Sequence, residues 1–562
     1  MGLSPLTEAE LRLVSAAAAG QVWTPQGDAA LRAGVIRSLA LGEVLPGATG
    51  PSPVHAKGIR IDGAKIGGEL DFESASVPVP LWFMDCDFSQ PLQIRLAHVV
   101  LLSLRGCAVP SIHAHRLHCE GPLHLSRSDV RPFVCPGRID LTGAKLAAEV
   151  SVMGARLGGA APVALDANGA RIGASLNLRD LEARGLIDLT RIDVEGNLHA
   201  QGASLLTIGN SAVSIVCRGA RIGGDVSVRG GFSAAGLVDF SRAEIKGSLL
   251  ADGARLEAPQ GTALSINQAR IGAALGLSQE GAPKGGATLR GHLDVRGARV
   301  AELRDDGSLW PDKRTGFLKI DGFQYERFGG RATIVSGRAR VRWLKLQRPS
   351  DLGRDFKAQP WEHLIRTLND TGHVNAARYV AIAKEQALHA SGSLTWSQYV
   401  WSWFSGLLTG YGYLPMRSVY ASVLVCLLGV LIFASAERQG IMAPADPNVL
   451  LSQAYRERGE LPPDYPRLNV WLYSIDVYLP VVDLHQESRW LPARDRDDAA
   501  RAALNGGAVS KRVLWLRLQA SIDRLVTRDV AQAWHWIQIL AGWLLASLAI
   551  AGFSGLLRPG RD

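Results

Sequence analysis

Four histidines and a cysteine stand together in the strip SIHAHRLHCEGPLHL: His113, His115, His118, Cys119 and His124. On a β-strand residues i and i+2 share a face. His113 and His115 would then reach one metal ion together, with His118 or Cys119 completing the set. The spacing matches no zinc motif, and no carboxylate stands ready to orient the imidazoles. Stacked surface histidines are the competing expectation. A second set is Asp140, Asp188, Asp239 and Asp294, each beside apolar residues in a short strand. Alternation points them outward on one sheet about two coils apart, roughly 10 Å at the inter-strand spacing. That is too wide for a retaining glycosidase pair and at the loose edge for an inverting one.

Cations form the third set. Arg156, Arg171, Arg221, Arg255, Arg270 and Arg299, with Lys65 and Lys145, recur at Gly-Ala-Arg bends. They read either as a stripe for phosphates or lipid headgroups, or as exterior charges paired with neighbouring acids. The segment RARVRWLKLQR (338–348) alternates basic and apolar residues, which in a strand sets Arg338, Arg340 and Arg342, followed by Lys345, toward anionic lipid or solvent. Three acids, Asp476, Asp483 and Glu487, lie in an apolar stretch, 468–490, that Pro480 makes too interrupted to span a bilayer, and Asp483 and Glu487 are the candidates for function. The stretch rests at the interface or re-enters the membrane, where these two would be pore or loop acids. No strand-GxGxxG-helix unit, GxSxG elbow or GxxxxGK[ST] loop is present, so no cofactor is declared.

The elements that must carry these residues are legible in a repeat of about fifty residues. ARIGASLNLRD from Ala170 aligns with ARIGGDVSVRG from Ala220, and GLIDLTRIDVEGNLHAQGASL aligns with GLVDFSRAEIKGSLLADGARL. Apolar residues alternate over short stretches near 225–229, 237–241, 248–252 and 263–267, separated by small-residue bends. Stacked units of this kind bury their apolar sides only against one another. The fold class expected is mainly β: a right-handed parallel β-helix with roughly two coils per copy. In GARIGG, Gly supplies positive φ, Ala fits inside the corner, and the next Ile or Leu points inward.

LTEAELRLVSAAAAG at the amino end predicts a capping helix, with Thr7 and Glu10 spaced as a capping box. IDGFQYERF predicts an aromatic seal on the last coil. PWEHLIRTLNDTGHVNAARYVAIAKEQALHA has helical spacing broken at 369–372, a hairpin like one tetratricopeptide unit. No charge occurs between Ala390 and Met416, and Trp396, Tyr399, Trp401, Trp403, Tyr411 and Tyr413 mark a bilayer interface. Spans follow near 418–436 and 536–557. A basic amphipathic helix is expected over Lys511–Arg528. The divisions are 1–48, a helical cap; 49–335, the β-helix; 336–392, connector and hairpin; and 393–562, the membrane domain.

Six cysteines with no CxxC pair do not form a disulfide framework, and the first twenty residues are no secretory signal. Of the net charge of +9, residues 437–535 contribute nothing, with 13 basic and 13 acidic residues. The surplus on the repeat side suits an anionic surface such as lipid headgroups, and no specific nucleic-acid binding is expected. Arg417, Arg558 and Arg561 flank the spans and favour a cytoplasmic repeat domain.

These motifs, with YGYLPMR and LYSIDVYLPVVDLHQE, make the chain resemble a family of bacterial membrane-associated β-helix repeat proteins, provisionally named membrane-associated oxidoreductases. The resemblance covers nearly the whole chain and implies attachment to the bacterial inner membrane, but it carries over no cofactor-binding position. The expected function is a membrane-anchored β-helix scaffold or binding protein with a lipid or protein partner. The alternatives are a metal or cofactor enzyme, oxidoreductase included, and an oligomeric two-span channel.

Overall fold

The computed structural model describes residues 5–26, 30–47, 50–209, 212–282, 286–353, 356–392, 394–458, 460–479, 481–493 and 525–554. They form two compact units, Met1–Lys384 and Glu385–Asp562. The first is a parallel β-solenoid of about 11 turns.

Each coil has four sides, most of them strands of only two residues. One coil runs Ile139–Asp140, Lys145–Leu146, Val150–Ser151, then Arg156 and Leu157 at the start of a longer strand. In each rung one residue points in and the next points out. Side one turns Ile112, Ile139, Ile187 and Leu264 inward. Side two buries Leu146, Ile172, Ile222 and Ile271. Side three buries Leu123, Val150, Leu198 and Leu249. Each such side chain contributes about 1.5–3 kcal/mol relative to exposure, and each is covered only because coils lie above and below it.

The fifty-residue copy is two coils: side one begins at 165, 187 and 215, so the steps are 22 and 28 residues. Coil length ranges from 20 residues (92 to 112) to 29 (264 to 293). The first three sides nearly keep their spacing, beginning at 112, 118 and 123 in one coil and at 264, 270 and 275 six coils later; side three starts one residue early only in the coils from 92 and from 293. Added residues fall at the two corners flanking side four, as at 125–133 and 257–263.

The GARIGG bend divides its labour by position. The residue before the inward corner residue is left-handed: Gly143 and Gly219 at φ 65° and Gln268 at 58°, each before Ala, and Arg191 at 54° before Ile192. Ala144, Ala170, Ala220 and Ala269 follow it wholly inside the corner. The glycine after the inward Ile has another cause. A Cβ on Gly173, Gly223 or Gly272 would collide with the carbonyl oxygen of Ala147, Glu195 or Lys246, one coil back. Only glycine lets the backbones approach so closely.

Both ends of the solenoid are closed. Helix α1 (Glu8–Ala19) starts with the Thr7–Glu10 capping box and is followed by α2 (Ala33–Leu41). At the other end Phe323, Tyr325 and Phe328 pack ring against ring. They are covered by α3 (Gly337–Leu344) and, after the short α4 (Pro349–Leu352), by the first helix of a pair, α5 (Gln359–Asp370) and α6 (Val374–Ala390). His363 on α5 is 2.9 Å from the Tyr325 backbone nitrogen and stands edge-on to its ring.

In the second unit α7 (Trp396–Thr409) precedes α8 (Met416–Arg438), and α12 (Arg528–Ser554) ends the described chain. Helices α8 and α12 are long and apolar enough to cross a membrane. They run antiparallel: Gln439 meets Val526 at one end, and Gly552 faces Pro415 at the other. Between them come the short α9 (Pro447–Leu450) and α10 (Gln453–Arg458), then α11 (Val470–Tyr478). Met442–Pro444 pairs antiparallel with Trp490–Pro492. The amphipathic helix expected at 511–528 falls, but for its last four residues, outside the described residues.

Candidate functional site

The densest polar cluster outside the solenoid lies where α11 packs between α8 and α12. Helix α11 begins at Asn469, whose side chain caps the Trp471 and Leu472 amides, and it lies against α8 in the opposite sense. The Tyr473 ring sits 4.8 Å edge-on from Phe433, Ser474 Oγ donates to the Cys426 carbonyl at 2.8 Å, and Tyr478 OH reaches Ser422 Oγ at 2.5 Å. Gly429 and Gly542 permit the approach, since a Cβ on either would strike Gln538 and Ser474, or the Tyr478 carbonyl.

Buried polar groups hold this junction. Gln538 on α12 donates to the Ser474 carbonyl at 2.7 Å and accepts from Trp534 Nε1 at 2.8 Å. His535 places Nδ1 3.3 Å from Tyr473 OH and Nε2 3.5 Å from Glu487 Oε1. Asp476 is buried and folds the following segment back on itself. Its Oδ1 accepts the Leu484 amide at 2.6 Å, and its Oδ2 accepts the Gln486 and Glu487 amides at 2.8 Å each. With both oxygens so engaged, Asp476 acts as a staple.

A cavity of about 450 Å³ opens beside the staple, lined by Asp476, Val482, Asp483, Glu487, Ile539 and Trp543 among others. Asp483 and Glu487, the two candidate pore or loop acids, therefore share one cavity with Asp476. Sequence reasoning counted Asp476 among the loop acids without its role, and missed His535 and Tyr473. Their signal, polar residues inside an apolar stretch and near the start of a span, is visible only once the helices are paired.

The histidine strip does not assemble the expected metal site. His113 is on side one, with Ser111 Oγ 3.2 Å from its Nε2, while His118 is on side two. Cys119 points into the core, and burial pushes its thiol to about 11. His118 stacks on His98 at 4.5 Å. Among the described residues no group of three or more His, Cys, Asp or Glu could hold a metal ion.

The aspartates also depart from expectation. Side one aligns His113, Asp140, Asp166 and Asp188 on consecutive coils, so Asp166 stands between Asp140 and Asp188, one coil from each. Asp140, Asp166, Asp188 and Asp239 each accept the amide two residues on, as Asx turns do. Asp239 and Asp294 hold the outward positions of their rungs but are buried there, ion-paired with Arg218 and Arg296. Burial works to raise the Asp140 carboxyl, but Thr142, then Arg138 and His115, bring it below its usual value. These carboxylates serve the coil.

The basic residues divide between two sides. Lys65, Arg156 and Arg255 stand on side four, where Arg156 meets Glu182 at 3.1 Å. Lys145, Arg171, Arg221, Arg270 and Arg299 stand on side two, with Asp193 and Glu244 in the same row. Among the described residues these five cations make no ion pair. Segment 338–348 begins as a helix, not a strand. Arg340 is wholly buried there, bonded to Asp305 at 2.8 and 2.5 Å with its guanidinium over the Phe328 and Trp343 rings, so it meets no lipid. Arg338, Arg342 and Lys345 remain exposed.

No protein-family model, curated protein or solved structure matches the chain.

Proposed function

We propose that this protein is a membrane-anchored β-solenoid that presents the row of cations on side two to an anionic partner. The carrying observation is the antiparallel pair α8 and α12, whose outward faces expose Leu424, Leu428, Leu431, Leu540, Leu544 and Ile550. Lipid is the solvent that such a surface requires. Helix α7 supports the same reading: Trp396, Trp401 and Trp403 are exposed on a helix without charge, as interfacial anchors are.

In this reading the membrane is the bacterial inner membrane, the solenoid is cytoplasmic, and the side-two row receives acidic protein segments or lipid headgroups. The five cations against two acids on the row, beside the bare Gly173, Gly223 and Gly272, leave guanidinium groups open to contact. Arg338, Arg342 and Lys345 form a second cationic stripe of the same kind. The family resemblance supports the attachment and supplies no residues for redox chemistry.

The test is carbonate extraction of membranes, followed by labelling of an Arg171→Cys variant with a membrane-impermeant maleimide. Retention in the pellet, with labelling only in inverted vesicles, is expected. Release into the supernatant refutes the anchor; labelling only in right-side-out vesicles refutes the orientation.

A further inference from the structure

The segment after α11 leaves a carboxylate exposed at a depth where lipid would not accept it. Tyr478 ends α11 against Ser422, which lies sixteen residues back along α8 from Arg438. At about 1.5 Å per residue this is roughly 24 Å below the loop-side end of α8. The chain then returns to Trp490, whose strand pairs beside that loop-side end. Asp476 draws the Leu484, Gln486 and Glu487 amides onto itself, so the turn is held beside the helices rather than above them. Glu487 is fixed at the level of His535, on the second turn of α12.

Val481 is 86% exposed on this return, and the Asp483 side chain is 66% exposed. An isolated acid at membrane depth costs about 2.5–3.5 kcal/mol by insertion scales, and acids so placed face protein or a water-filled cavity. Among the described residues, Asp483 meets the open cavity shared with Glu487 and its own neighbour His485. Lipid suits Leu540 and Leu424; it does not suit Asp483.

We infer that a second copy of this chain covers the return segment. Symmetric copies face one another across a shared aqueous axis, which Asp483 and Glu487 line with negative charge and which admits cations. The inference rests on the reading of α8 and α12 as spans. A closed ring makes each copy contribute the same surface, and the cavity seen in one chain becomes a sector of the axis. Asp476 does not line that axis as a free ligand, because its oxygens are spent on the backbone.

The experiment uses the full chain in membranes. Val482→Cys is made in a Cys426→Ser background and compared with Leu540→Cys, under copper-phenanthroline oxidation. Val482→Cys is expected to give a covalent dimer at least ten times more abundant than the Leu540→Cys control. Equal cross-linking, in protein that carbonate does not extract, overturns the pairing while leaving the anchor intact. Carbonate-soluble protein overturns the anchor itself. The unsubstituted protein, measured by native mass spectrometry from detergent, is expected as a closed oligomer, and a monomer overturns the inference whatever the variants do. Thallous-ion uptake into proteoliposomes is expected to fall at least threefold with Asp483→Asn. Equal uptake by the variant, or none above protein-free vesicles by the unsubstituted chain, overturns the cation assignment.

Discussion

Replacing Arg340 by methionine is expected to loosen the carboxyl-terminal seal of the solenoid without touching its coils. Arg340 and Asp305 are both buried, and the guanidinium makes two hydrogen bonds to the carboxylate while lying over aromatic rings. Removing one partner leaves a buried charge with only the Trp310 indole N–H, at 2.9 Å, to solvate it. Breaking such a pair costs about 3–5 kcal/mol. At about 1.4 kcal/mol per decade, that raises local opening by two to four powers of ten. Hydrogen exchange of the 336–346 peptide reads this directly, and global melting does not, since long repeat arrays need not unfold in one step. The double variant Arg340→Met with Asp305→Asn is expected to recover most of the protection, because it removes both charges. If the single variant exchanges no faster than the parent, or the double variant is worse than the single, the buried pair is not what holds the seal.

Four further outcomes follow from contacts already described. Glu10 is another buried acid. Burial would raise it, but the Arg32 side chain, the Thr7 and Arg32 amides and the Arg32 charge bring it from 4.5 to about 2. Its contribution, at most about 3 kcal/mol, is present above pH 4.5 and is lost as pH falls toward 2. Exchange in α1 is expected to rise over that window in the parent and to lose the dependence in Glu10→Gln. Gly223→Ala is expected to destabilise the solenoid by more than Gly169→Ala. The first meets a backbone carbonyl, whereas the second has open space and pays about 1 kcal/mol for its left-handed φ of 65°, a ranking that urea titration of the pair decides. Burial raises the thiols of Cys107, Cys119, Cys135 and Cys217, with Cys135 near 12. Ellman's reagent at pH 7.5 is expected to find at most one thiol in folded protein and six after denaturation. Asp476→Ala is expected to free the return segment, seen as faster trypsin cleavage at Arg489 in membranes. Asp476→Asn, which keeps part of the acceptor capacity, is expected to fall between.

Much of the solenoid could be read from its punctuation. The bends announce themselves because αL corners and close backbone approaches admit few residue types, and two coils per copy follows from their spacing. Four sides per coil could not be read, since a two-residue strand has no period of its own. Asp166 escaped notice although LDANGA repeats the frame of IDLTGA at 139–144. Its meaning as a turn-forming residue depends on the amide two positions on. The alternation in RARVRWLK fits a strand as well as a short helix buried on most of its surface, and only Asp305, thirty-five residues earlier, decides between them. In the second unit Asp483 and Glu487 stood out as acids in an apolar stretch. The staple at Asp476 depends on a backward fold that no local spacing encodes.

The uneven corners of the solenoid bear on how such a rod can be altered. Sides one and two begin six residues apart in coil after coil, the step from side two to side three shortens by one residue only at 98–102 and 299–303, and the larger changes in coil length fall on the two edges that flank side four. A graft of foreign sequence at 125–133 or 257–263 would thus leave the gauge of the other three faces untouched, whereas a single residue inserted between sides one and two would throw every later rung out of step. Whatever recognises the rod by the pitch of its charges is insulated from growth along those two edges, and new peptide can be added there without recalibrating the rest.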